Sequence, residues 1–482
     1  MNLADIVEGI FGVRPALPAL TAQEVSSVVV DSRAVTPGAV FFAEYSGSRD
    51  GHQFVPDALQ RGAVAVVVEA RAASAIENMT RVGGGAIVTP LNAGLTPLAI
   101  VVDNTLEALQ QVAAWWRGKM PVKAIGITGS VGKTTSKEII AAVLSQRYVT
   151  LKSEASLNNE IGLPLTLLRL RPYHQRAVLE MGTYGIGEIR QLCEWARPQV
   201  GILTIVGTAH LERMGSQDVI AEAKGELVEA LPADGVAILN GDDFRVRAMA
   251  SRTQARVFLY GLTPDCDLWA DQLDSHGLEG ISFHVHHGRE SLAIRVPLLG
   301  IHSVHTALRA IAVGLTDNLT WEEIIAGLHG LPGQVRLVVT PGVHGATLLD
   351  DTYNASPESG LAALNLLKEM PGRRIAVLGD MLELGDIEEE GHIKVGCRAA
   401  EVVDLLIAVG ERSKATAAGA TECGLADSAV RWYPDNETAL AALREILTQG
   451  DFVLIKGSRG VQMESIVAGL AAAPATPPAE RA

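Results

Sequence analysis

Aromatic residues make up only 4% of the 482-residue chain. With so few rings, a base-stacking platform for single-stranded nucleic acid is not expected. Cysteine is scarce too: Cys193, Cys266, Cys397 and Cys423 lie far apart, with no CxxC pair. That spacing excludes a disulfide scaffold and argues against a zinc site, so four reduced, incidental thiols are expected. No apolar run reaches the roughly 18 residues that a membrane span needs. The opening stretch MNLADIVEGIFGVRP has no basic segment ahead of a long apolar core, so no secretory signal is expected. Positive charge is in deficit, with 40 Lys and Arg against 55 Asp and Glu, a net −15. General nucleic-acid binding needs clustered cations and is therefore disfavoured. A small anion is not excluded, because backbone N–H groups and one or two cations suffice to hold a phosphate. What remains, 48% hydrophobic and 20% charged, is ordinary for a folded, soluble protein and excludes a disordered chain.

At roughly 150 residues per domain the length suggests three domains, and no repeat of solenoid period is visible. The first hundred residues alternate short β-rich runs (25–30, 40–45, 63–68) with turn chemistry at Asp31-Ser32-Arg33 and Thr36-Pro37-Gly38, and 58–61 reads as helix. A boundary is placed near 100, before a helix over 104–117. From about 122 to 330 strand and helix alternate, which argues for a parallel sheet covered on both faces. Strands are expected at 122–128, 177–181, 200–206 and 236–240, a small antiparallel insertion at 255–297, and helices at 302–314 and 321–328. After Leu331-Pro332-Gly333 comes a third α/β unit with strands at 346–350, 374–379, 404–410 and 452–456. The domains expected are thus 1–100, 101–332 and 333–470, followed by a Pro- and Ala-rich, disordered tail at 471–482.

The strongest local signal is an apolar strand running into Thr128-Gly129-Ser130-Val131-Gly132-Lys133-Thr134-Thr135 and on into a helix. Glycines let the backbone curl until successive N–H groups point at one phosphate, and the helix N-terminus adds partial positive charge. Lys133 can then reach the β/γ-phosphates, and the Thr134 hydroxyl can ligate Mg²⁺. The general phosphate-loop pattern places a glycine six residues before the lysine, where this chain has Ile127; its glycines fall at 126, 129 and 132. Polar residues also stand at strand ends, the edge on which open α/β sheets bind ligands: Glu180, His210 beyond the third strand, and Asn240 followed by Asp242 and Asp243. Glu180 is a hard oxygen ligand suited to Mg²⁺, whereas histidine is a less usual one. Lys224 by itself reads as a surface lysine paired with a carboxylate one helical turn away.

The phosphate loop, with this glycine spacing, resembles that of the Mur ligase family. So do Leu157-Asn158-Asn159-Glu160-Ile161-Gly162-Leu163-Pro164, Ala209-His210-Leu211-Glu212 and Ala223-Lys224-Gly225-Glu226. The third unit adds Asp350-Asp351-Thr352-Tyr353-Asn354, Gly379-Asp380-Met381-Leu382-Glu383-Leu384-Gly385 and Lys456-Gly457-Ser458-Arg459, and the front adds Asp31-Ser32-Arg33 and Asp50-Gly51-His52. The resemblance spans about 25 to 468. It implies a central phosphate-loop ATPase-like domain, a small α/β N-terminal domain for a UDP-sugar and a Rossmann-like C-terminal domain. It further implies an ATP-dependent ligase of cell-wall precursor synthesis that joins D-alanyl-D-alanine to UDP-N-acetylmuramoyl-tripeptide through an acyl phosphate.

By the same resemblance Gly129 to Thr135, Asn240, Arg336 and Asp351 bind ATP, with Lys133 on the phosphates. Thr134 and Glu180 hold one Mg²⁺, and His210 and Lys224 a second, with Lys224 carried as a carbamate. Ser32, Arg33, Asn158 and Asn159 contact the UDP-linked substrate, and Lys456, Ser458 and Arg459 the dipeptide. A cytoplasmic monomer without nucleic-acid or membrane partners is expected. One departure stands out: in Gly300-Ile301-His302-Ser303-Val304-His305-Thr306 the family's two Asn positions hold Ser and Thr, which leaves the adenine contacts open. Alternatives are a tripeptide-forming relative, whose Asp-Asn-Pro-Arg signature is missing here, a folylpolyglutamate synthase, a nucleotide-dependent switch or kinase, and an inactive binding module.

Overall fold

Apolar runs punctuated by glycine, proline and acidic caps fold as short, mostly parallel strands joined by helices. The computed structural model describes residues 1–44, 50–71, 76, 79–84, 86–87, 97–330 and 337–472. Contacts divide the chain into two units: Met1–Gly126 with Tyr148–Gly182 and Glu188–Gln199, and Ile127–Arg147 with Thr183–Gly187 and Val200–Ala482.

The first unit holds a six-stranded sheet in the order Val28–Val29, Val40–Phe42, Ala65–Glu69, Leu98–Val102, Thr80–Gly83, Ala86–Ile87. Every pairing is parallel except the last. Val35, Phe41, Val55, Val66, Val68 and Ala99 form the core on one face. The strand expected over 25–30 shrinks to two residues because the Asp31 carboxylate accepts the Arg33 N–H (2.9 Å) and turns the chain into a 3₁₀ segment, Ser32–Ala34. Helix Thr105–Lys119 starts where Asn104 accepts the Leu106 and Glu107 N–H groups. In the same unit, strand Thr150–Lys152 pairs in parallel with Arg176–Glu180.

In the second unit Val200–Leu203, Val236–Asn240, Arg256–Gly261 and Leu268–Ser275 pair in parallel, in that order. Leu268–Ser275, Ile281–His287 and Glu290–Val296 then pair antiparallel. This corrects the expected insertion at 255–297: Arg256–Gly261 belongs to the parallel sheet, and the antiparallel part grows from that sheet's edge. The unit's helices include Lys133–Leu144, Val304–Thr316 and Trp321–His329, the last opened by a capping box between Thr320 and Glu323.

A further six-stranded sheet runs Val338–Pro341, Thr347–Asp351, Phe452–Lys456, Arg374–Gly379, Leu405–Val409, Val430–Tyr433. Only its first pairing is antiparallel. Apolar clusters around Leu349, Leu364 and Leu378, and around Leu348, Val377 and Ile455, cover its two faces. The parallel register brings Asp351 level with Lys456 at the carboxyl ends of their strands.

The expectation of four reduced thiols needs correction. Cys193 and Cys266 are buried thiols, but Cys397 and Cys423 form a disulfide. Helices Glu388–Ala400 and Lys414–Glu422 are packed so closely that a Cβ on Gly396 would lie 2.1 Å from the Thr416 carbonyl, and one on Gly419 would lie 2.7 Å from that of Ile393. Glycine at the crossing thus brings the two cysteine Cα atoms to 5.0 Å, within bonding reach. Among the described residues no helix is long and apolar enough to cross a membrane. Of the expected disordered tail, Ala471 and Ala472 pair with Gly342 and Pro341; residues 473–482 lie outside the described residues.

Candidate active site

Strand Lys123–Thr128 ends at the glycine loop, and helix Lys133–Leu144 begins directly after it. Gly129 has φ +145°, and a Cβ there would fall 1.8 Å from the Thr204 hydroxyl, so only glycine fits. Gly132, at φ +85°, is the left-handed N-cap, with no side chain spent on the first-turn N–H groups. Those donors and the helix dipole suit an anion. The loop's shape is held from behind: Thr204 Oγ1 donates to the Val131 carbonyl (2.6 Å), and the Ser130 N–H to that of Ile205 (2.8 Å). Lys133 Nζ arches back onto the Gly129 carbonyl (2.6 Å). The Thr134 and Thr135 side chains are half-buried at the start of the helix.

A cavity of about 340 Å³ opens from this loop. Val131, Gly132 and Thr135 line it together with Asn240, His302, Ser303, Thr306, Arg309, Asp351, Glu358 and Lys456. Asn240 is anchored through Nδ2 to the Thr204 carbonyl (3.1 Å), and the Ser303 hydroxyl is engaged by that of Leu299 (2.7 Å). Lys456, expected at the dipeptide, lies here, 2% exposed, and donates to Asp351 (2.6 Å) and to the Asn354 carbonyl (2.8 Å). Ser458 Oγ accepts the Leu382 N–H (2.9 Å), and Arg459 stacks over the Tyr353 ring. Arg336 lies outside the described residues.

Beside the loop, residues distant in sequence converge. Lys224, on helix Gln217–Glu229, is 2% exposed rather than at the surface. Burial, and then the charge of Lys133, hold its amine well below the ordinary lysine value. The His210 imidazole is also held low, mainly by burial; Glu383 opposes that, while Lys133 and Lys224 add repulsion. His210 Nδ1 lies 2.6 Å from Glu383 Oε2. Because an ionised carboxylate only accepts, Nδ1 carries the proton in the neutral ring and Nε2 keeps its lone pair. The segments joining the third sheet's strands supply two such partners: Glu383, in a loop at φ +63°, and Glu358, in the first turn of helix Pro357–Lys368, which accepts from both the N–H (3.0 Å) and the hydroxyl (2.9 Å) of Thr208.

In the first unit, Glu180 is 1% exposed and accepts a hydrogen bond from Asn158 Nδ2 (2.8 Å). Asn159 instead accepts the Gly162 N–H (2.9 Å) at the start of helix Gly162–Leu168. Ser32 is buried and hydrogen-bonds Asp57, whereas Arg33 is exposed and paired with Asp31. Residue-by-residue reasoning passed over Glu358, Glu383, Tyr260 and Arg309. For Glu383 a signal was present, since it lies within the quoted Asp380–Gly385 motif.

A parallel α/β sheet that ends in a glycine loop, with a cavity and two buried amines beside it, defines a phosphate-loop nucleotide-binding protein. Three family models match in succession: "Mur ligase family, catalytic domain" over 24–117, "Mur ligase middle domain" over 127–314 and "Mur ligase, glutamate ligase domain" over 335–459. The chain belongs to the Mur ligase family. It is 37% identical over 457 residues to the UDP-N-acetylmuramoyl-tripeptide–D-alanyl-D-alanine ligase of Synechocystis, covering 93% of this chain and 92% of that one. Among solved structures, MurF from Acinetobacter baumannii superposes with a TM-score of 0.81 at 28% identity, covering 96% of this chain and 97% of the other. MurF ligase from Thermotoga maritima in complex with ADP gives 0.75 at 26%, covering 92% and 96%.

Proposed function

We propose that the chain is an ATP-dependent ligase that joins D-alanyl-D-alanine to the terminal carboxylate of UDP-N-acetylmuramoyl-tripeptide, giving the pentapeptide, ADP and phosphate for peptidoglycan synthesis. A carboxylate is a poor electrophile at neutral pH. Its attack on the γ-phosphorus expels ADP and leaves an acyl phosphate; the dipeptide amine then adds to the acyl carbon, loses a proton and expels phosphate. Such chemistry asks the protein chiefly for positioning and charge neutralisation.

The observation that carries the reading is the convergence of Lys133, His210 and Lys224 beside a phosphate loop. Lys133 balances charge on the transferring phosphoryl group, and Asn240, Asp351 and Arg336 hold the nucleotide. The donor set fits magnesium on chemical grounds: Glu180 offers a hard oxygen and the neutral His210 ring a lone pair, while among the described residues no three carboxylate, histidine or cysteine side chains converge. Phosphate oxygens and water would therefore complete each shell. Thr134 and Glu180 would hold one ion and His210 and Lys224 a second; bound magnesium supplies electrostatic stabilisation of the phosphoryl oxygens. Burial favours the uncharged form of the Lys224 amine, the form that adds CO₂, which supports a carbamate there; a ¹³C carbamate resonance in protein equilibrated with ¹³CO₂ tests it. Ser32, Arg33, Asn158 and Asn159 are assigned to the UDP-linked substrate, Lys456, Ser458 and Arg459 to the dipeptide, and the domains to 1–100, 101–332 and 333–470. A cytoplasmic monomer completes the reading.

The test is phosphate release from ATP with UDP-N-acetylmuramoyl-tripeptide, with and without D-alanyl-D-alanine. Release that depends on both substrates is expected. Release with neither, or with a single amino acid in place of the dipeptide, would reject the assignment.

A further inference from the structure

We infer that Arg309 binds the phosphate chain of the nucleotide, as a buried guanidinium with no ion-pair partner among the described residues. The inference rests on the nucleotide reading above and adds a second cation to the cavity. Arg309 lies on helix Val304–Thr316 and is 4% exposed. Its Nη1 donates to the Tyr260 hydroxyl (3.1 Å) and its Nη2 to the Thr306 hydroxyl (2.8 Å), while the buried Nε has no partner among the described residues.

Neither partner is an anion. Tyr260 is fully buried, and burial raises its phenol above the ordinary value; its hydroxyl in turn donates to the Leu203 carbonyl (3.2 Å). The acidic groups around Tyr260 are committed elsewhere: Asp242 to His305 (2.8 Å) and the Leu262 N–H (2.9 Å), and Asp243 to the N–H groups of Val206, Arg245 and Val246. Within the cavity, Asp351 is matched by Lys456, and Glu358 keeps its charge but is turned onto the N–H and hydroxyl of Thr208.

A buried charge without a partner costs several kcal/mol, and a hydrophobe of the same shape would pack there without that cost. The position of the group supplies the reason for keeping it. Arg309 lines the same cavity as Gly132 and Thr135, and a Cβ on Gly132 would come within 3.3 Å of Nη2. The guanidinium thus lies against the last residue of the phosphate loop. The short hydroxyl of Thr306, one turn earlier on the helix, steadies it without filling its place. A phosphate chain seated in the loop would supply the missing negative charge.

Calorimetric titration of the full-length protein with ADP and with adenosine tests this. Arg309→Met removes the charge; Arg309→Gln removes it while leaving a polar, hydrogen-bonding end; Arg309→Lys keeps it. The expected result is a loss of about tenfold or more in ADP affinity for the Met and Gln variants, with adenosine affinity unchanged and the Lys variant closer to wild type. The ligand-free Met variant should melt no lower than the wild type. Equal losses for ADP and adenosine, or unchanged ADP affinity, would overturn the inference. Failure of the wild-type protein to bind ADP would instead overturn the nucleotide reading itself, and this inference with it.

Discussion

Replacing Asp351 by asparagine should destabilise the third sheet severely, and the pair it forms with Lys456 sets the size of the effect. The ammonium and carboxylate lie 2.6 Å apart, with side chains only 2% and 12% exposed. At an effective dielectric constant of about 20 their attraction is on the order of 6 kcal/mol, most of it offset by the cost of taking both charges out of water. Removing one partner keeps the desolvation cost of the other, which amounts to about 3–5 kcal/mol. Because Lys456 retains the Asn354 carbonyl, the lower end of that range is expected. Urea denaturation of the nucleotide-free protein, followed by circular dichroism, gives the single-variant cost. Asp351→Leu combined with Lys456→Met should restore most of the loss, since no charge is then buried alone. An Asp351→Asn protein within about 1 kcal/mol of wild type, or a double variant as unstable as the single, would refute the reasoning.

Gly129→Ala meets both the Thr204 side chain and a backbone conformation that only glycine adopts readily; it should lower the melting temperature, and Thr204→Ala in the same chain should recover only part of the loss, because about 1–3 kcal/mol of backbone strain stays and the Thr204 hydrogen bond to the Val131 carbonyl is lost. Glu383→Ala frees the His210 ring, so the affinity for Mn²⁺ as a magnesium surrogate, read by electron paramagnetic resonance, should fall by about 10–100-fold.

Much of the architecture can be read from local pattern. Apolar runs such as Val236–Asn240, Arg374–Gly379 and Phe452–Lys456 are bounded by turns or charges and fold where expected. The edge strands Val338–Pro341 and Val430–Tyr433 escaped notice because half-exposed strands carry mixed residues and little alternation. The glycine loop was legible because its function demands particular backbone angles. Lys224 was not, since a lysine flanked by glutamates looks the same whether its helix face meets solvent or a packed interior. The partnerships of Glu383 with His210 and of Arg309 with Tyr260 span 173 and 49 residues. Only the folded chain brings such groups together.

The two glycines at the helix crossing carry one more implication. Backbone meets backbone at Gly396 and Gly419, so the spacing that brings Cys397 to Cys423 is set by the absence of side chains and not by sulfur. The thiols are passengers of that contact: reduced or oxidised, the helices should nest at the same depth, and the enzyme can be made in a reducing compartment without depending on a bond it would lose there.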